Sequence, residues 1–100
     1  MWWWVAARAK AGVTPEAIVM KRKQWVAQGK ERHLQNTCRA AQRYVVEGSS
    51  PAQVFWLVEA NDSSAVQVIA DHFSELWDLE THVVIPQPLA DAVNTTRGGG

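Results

Sequence analysis

Few side chains in this sequence could move a proton. His72 falls in an apolar stripe with Ala65, Val66, Val68, Ile69 and Phe73, at helical spacing. An imidazole there could act as a general base near neutral pH, or it could be a core histidine held by a backbone carbonyl. Glu80 and His82 lie two residues apart, so a strand would put both on one face, and Glu59 follows Phe55 and Leu57 on one face of another. An acid and an imidazole projecting into a dry cavity would have displaced pKa values and could shift protons on a substrate. The plainer alternative is that Glu59 and Glu80 mark strand ends that reach water. His72, His82 and Glu59 are the catalytic candidates.

The binding candidates are larger. Arg22 sits among Ile18, Trp25, Val26 and Gly29 at helical spacing, where its guanidinium could clamp a carboxylate. It could equally pack its stem and send its head to water or to an acid of the second predicted helix. Tyr44 could orient a substrate oxygen, although a buried ring with its hydroxyl at the edge is the ordinary arrangement. Trp3, Trp56 and Trp77 could line a cavity for a flat aromatic or polyketide-like ligand, or pack a core and an interface. His72 and His82 lack a third ligand at recognisable spacing. Cys38, the single cysteine, can form neither an internal disulfide nor a cysteine metal cluster. No metal and no cofactor are expected.

The elements that must position these residues can be read in order. Trp2 to Arg8 is rich in aromatic residues and closes at "KAGVTP", which marks a strand followed by a turn. Thr14, Pro15 and Glu16 then form a helix start: a capping hydroxyl, a proline at the first helical position and an acid at the positive end of the dipole. This helix is expected to run to about Lys30, with Lys23 and Lys30 pointing away from the core. "ERHLQNTC" reads as a polar connection, Ala40 to Glu47 as the second strand, "GSSP" as a turn and "AQVFWLVEA" as the third strand. "NDSS" supplies caps for a second helix from Ser63 or Ser64 to Glu75. Leu79 to Ile85 is the fourth strand, ended by Pro86 and Pro88.

Strand, helix, strand therefore occurs twice. This is the ferredoxin-like βαββαβ order of an α+β domain, a four-stranded antiparallel sheet with two helices on one face. Right-handed crossovers and the short turn between strands two and three favour the spatial order four, one, three, two. Such a sheet should alternate, apolar toward its helices and polar toward water. "WWWVAA", "YVV", "VFWLV" and "VVI" are instead apolar on both faces. Leaving several large aromatics bare would forfeit about 1.5–3 kcal/mol each, a serious loss for a marginally stable domain. No helix of the chain is left to cover the second face, so a homodimer with facing sheets is expected.

The element order, the two-faced strands and the closing segment "ADHFSELWDLETHVVIP" resemble the dimeric α/β-barrel superfamily. Within it they look most like short bacterial proteins of unknown function that end in an aromatic-Asp-hydrophobic-Glu segment, here Trp77, Asp78, Leu79 and Glu80, followed by a valine-rich strand and proline, here Val83 to Pro86. The resemblance covers about residues 1–90, although the inserted "TH" before the valines departs from that pattern. Relatives include muconolactone isomerase and cofactor-free antibiotic-biosynthesis monooxygenases. The resemblance implies a small-molecule pocket between sheet and helices; no catalytic motif carries over.

Composition sets the remaining bounds. One hundred residues, 47% hydrophobic and 20% charged, suit one domain, expected over residues 1–90 with a flexible tail at 91–100. The apolar start from Trp2 to Ala7 is far shorter than the roughly 20 residues of a membrane span and lacks the charge order of a secretory signal, so a cytoplasmic protein with no membrane partner is expected. Nine of ten basic residues lie between Arg8 and Arg43 and eight of ten acids between Glu47 and Asp91. Oppositely charged helices packed side by side account for this split. A nucleic-acid partner is not expected, because an RNA-binding sheet of this topology needs a basic, glycine-containing third strand. The expected function is binding or transforming a small apolar or aromatic molecule between sheet and helices of a homodimer. The alternative is an assembly module with no ligand.

Overall fold

The computed structural model describes residues 1–89, so the expected tail and the domain boundary before it lie outside the described residues. Seven elements follow in order: β1 (Trp2–Ala9), α1 (Pro15–Ala27), α2 (Lys30–Thr37), β2 (Ala40–Val45), β3 (Gln53–Glu59), α3 (Ser64–Phe73) and β4 (Trp77–Val84). The strands form one antiparallel sheet in the order β2-β3-β1-β4. This is the ferredoxin-like arrangement that the crossover argument anticipates. The described helices include none long and apolar enough to cross a membrane.

Helix α1 starts as its sequence dictates. Thr14 is extended, its hydroxyl accepts from the Ala17 amide at 3.2 Å, and Pro15 and Glu16 fill the first turn. It stops at Ala27 because Gly29 takes a left-handed conformation (φ 73°), which glycine adopts without steric cost. The segment read as a polar connection is instead helix α2. Its residues have strong helical propensity, yet Leu34 is its one apolar side chain, so no periodic stripe announces it. Burial of Leu34 anchors α2 to the core. Strand β4 also begins two residues earlier than expected, since Trp77 pairs with Ala9 and is buried.

Alternation along the strands divides the sheet into two faces. Val5, Ala7, Ala9, Val54, Trp56 and Val58 point toward the helices and are buried with Trp25, Ile69 and Phe73. Trp25 and Trp56 each meet the Phe73 ring, at 5.1 and 5.4 Å. The opposite face carries Trp2, Trp4, Phe55 and Leu57, all half-buried, and Tyr44, 47% exposed. Trp4 stacks on Phe55 at 5.1 Å and lies 6.4 Å from Tyr44, forming an aromatic band across three strands. Nothing among the described residues covers that band.

Candidate functional site

The sheet separates the three catalytic candidates. His72 lies on the helix side, buried against Trp25 and Phe73. Its Nε2–H donates to the Lys21 carbonyl at 2.9 Å, and its Nδ1 accepts from the Lys30 ammonium at 3.0 Å. These partners require the neutral Nε2–H tautomer. Burial lowers the His72 pKa below the usual imidazole range, and Lys30 and Lys21 add to that, against the Lys21 carbonyl and Glu75. Both ring nitrogens are occupied, which is the arrangement of a core histidine joining α1, α2 and α3.

His82 and Glu80 share the open face of β4, as their spacing requires, with Nε2 and Oε2 3.7 Å apart and both side chains exposed. Glu59 is on the same face but across β1, beside Trp2. His82 and Glu80 are therefore brought together, and neither Glu59 nor His72 joins them. Tyr44 also lies on this face. A hollow of about 430 Å³ opens there over Ala6, between Phe55 and Glu80, with Arg8, Gln53 and Asp78 at its edge.

The tryptophan candidates occupy the helix side. Trp56 and Trp77 are core residues, 5% and 4% exposed. Trp3 is half-buried and differs from them in one respect: its indole Nε1–H is buried with no hydrogen-bond partner. Arg22 pairs with the carboxylate of Glu31 on α2, its Nη2 donating to both oxygens at 2.7 and 2.9 Å. It thus meets an acid, from a helix that the sequence reading did not include.

Two further features escaped the sequence reading. One is Arg43, which alternation along β2 places on the helix side, opposite in direction to Tyr44. Its Nε is buried without a partner. Burial and the nearby Arg22 charge lower its pKa, while Glu31 opposes them. The other is a cleft of about 900 Å³ between the β1–α1 loop, the first turns of α1 and the β2–β3 turn. Val13, Pro15, Ile18 and Val19 form its apolar wall, and Lys10 and Ser50 are among its polar groups. The signal was present in "KAGVTP" and "GSSP", two segments that look like turns alone; only the fold brings them together. No group of three or more metal-ligating side chains occurs among the described residues.

No family model matches the chain, and no curated protein does. Solved structures do match. A crystal structure of an antibiotic biosynthesis monooxygenase aligns over 88% of this chain and 100% of its own, with a TM-score of 0.56 and 17% identity. The protein At3g17210 from Arabidopsis thaliana aligns over 88% and 97%, with a TM-score of 0.55 and 16% identity. A Deinococcus radiodurans protein described as an antibiotic biosynthesis monooxygenase aligns over 88% and 96%, with a TM-score of 0.51 and 10% identity. The chain has the ferredoxin-like fold of these proteins.

Proposed function

We propose that the chain acts as a cytoplasmic homodimer, sheet facing sheet, and binds a small apolar or aromatic molecule where the helix layer meets the sheet. The observation that carries the binding reading is the 900 Å³ cleft beside α1, a concave, mainly apolar site with a few polar groups at its edge. Val19 on its wall is 51% exposed, though an aliphatic side chain on a helix that faces a sheet is ordinarily covered. The aromatic band of Trp4, Phe55 and Tyr44 supports the dimer, because an uncovered apolar patch of this kind marks an interaction surface. Two of the structural neighbours named above are described as antibiotic biosynthesis monooxygenases, which makes a small organic ligand the natural class to test.

The second reading is an assembly module without a ligand. It draws on the occupied ring nitrogens of His72 and on the place of His82 and Glu59 toward the Trp2 end of the sheet, away from the cleft at its Ala9 end. One experiment distinguishes the two. The protein should sediment as a dimer and bind 2-naphthamide in calorimetry, and Val19→Arg should abolish binding while leaving the sedimentation coefficient unchanged. A dimer that takes up none of the probe favours the assembly module. A monomer at high protein concentration defeats both readings.

A further inference from the structure

Arg43 presents an electrostatic imbalance that the chain leaves open. A guanidinium taken partly out of water loses hydration, and this is normally offset by a carboxylate or by hydrogen bonds to its donors. Arg22, one layer above, has Glu31. The ion pairs of the described residues leave Arg43 out, and its buried Nε has no acceptor. Two guanidiniums thus face one carboxylate, a local excess of one positive charge. The Arg43 pKa is lowered by burial and by Arg22, as expected for a cation short of a counter-charge.

The surroundings are apolar and lead to the cleft. Val45, next on the same face of β2, is 62% exposed. Val19, on the cleft wall, precedes Arg22 by about one helical turn. On each element, then, the exposed valine on the cleft side of the arginine, Val19 on α1 and Val45 on β2, stands between that arginine and the end of the sheet where the cleft lies. A guanidinium edge offers two parallel N–H donors, which match the two oxygens of a carboxylate. An excess of one charge suits a monoanion better than a phosphate dianion.

We infer that Arg43, beside the Arg22–Glu31 pair, receives the carboxylate of an amphiphilic ligand whose apolar body lies along α1 toward the cleft. This rests on the cleft being a binding site, as proposed above, and it specifies the ligand class: a hydrophobic or aromatic monocarboxylic acid.

The test compares 2-naphthoate with its neutral isostere 2-naphthamide by calorimetry on the intact protein. Wild type should prefer the carboxylate by about tenfold or more, the scale of a charge-assisted pair. Arg43→Gln should erase that preference while naphthamide affinity stays the same. Arg43→Lys keeps the charge without the planar fork and should retain part of the preference, whereas a purely structural Arg43 would leave the preference unchanged in both variants. Equal binding of both probes by wild type, or an Arg43→Gln variant that keeps the preference, overturns the carboxylate assignment and leaves the cleft standing. Failure of both probes to bind removes cleft and assignment together.

Discussion

The two faces of one sheet are built from the same residue types and have opposite fates. On the helix side, Trp56 sits among Phe73, Val54 and Val58 and is almost fully buried. On the other side, Trp4 stacks on Phe55 and lies near Tyr44 but keeps part of its ring accessible. Nothing in the side chains themselves distinguishes the two tryptophans; what differs is which layer lies above them. Hydrophobic content reports the need for a cover, and the topology reports whether the chain provides it. The polar residues follow the same division. His72 on the covered face has each nitrogen matched to a partner, whereas Glu80 and His82 on the open face meet at 3.7 Å in solvent.

The sharpest way to break this comparison is to remove one tryptophan from each face. Trp56→Ala opens a cavity beside Phe73 in a packed core, and substitutions of this kind cost about 3–5 kcal/mol. Urea unfolding should show that loss at every protein concentration. Trp4→Ala removes a ring from the proposed interface, so its cost should be small in dilute protein and grow with concentration as the wild-type dimer populates. If the cost of Trp4→Ala is equally large at all concentrations, the open face is part of the protomer's own core and the contrast disappears.

Much of this division was legible in the residues. The βαββαβ order, the strand order and the two-faced strands follow from turn residues, caps and runs such as "VFWLV". The cap at Thr14 lies where its sequence places it, and five of the six residues named for the inward stripe of α3 are buried. Helix α2 was not legible, because a helix held to the core by Leu34 alone has no apolar period to read. That omission affected the site. Without α2 there is no Glu31 beside Arg22 and no Lys30 on His72, so both side chains looked free for chemistry. Arg43 and the cleft escaped for a different reason: each depends on segments far apart in sequence, and spacing within one element reveals neither.

The histidine of the covered face offers a second, smaller test. Its pKa lies below the ordinary imidazole value of about 6.5, so the unfolded chain takes up a proton more readily than the folded one. The sign follows directly: stability is complete above about pH 6.5 and falls as the pH drops toward the lowered value, by at most about 1.4 kcal/mol per pH unit for one proton. Lys21 and Lys30 face the ring and strengthen this trend, while Glu75 opposes it. His72→Gln can still donate to the Lys21 carbonyl and accept from Lys30, and it cannot be charged. Its urea midpoint should stay flat between pH 7 and 5 where that of wild type declines. Below that range the carboxylates of Asp62 and Glu75, both with lowered pKa values, bring their own acid loss in either protein.

The smallest effect belongs to the histidine of the open face. His82 is 61% exposed and meets only Glu80, itself in solvent, so in the isolated protomer His82→Ala should change stability by less than about 0.5 kcal/mol. Its value lies in what concentration does to that number. His82, on the edge strand β4, stands opposite Trp4 in the register, at the border of the aromatic band. A second sheet laid over that band would enclose the pair, and removing one member of an enclosed polar pair leaves the other without its partner. Unfolding of His82→Ala at low and high protein concentration should therefore diverge, weakly at first and then by more than about 1 kcal/mol where the dimer dominates. Equal, negligible costs at both ends would place His82 outside any interface and confine the shared surface to Trp2, Trp4, Tyr44, Phe55 and Leu57.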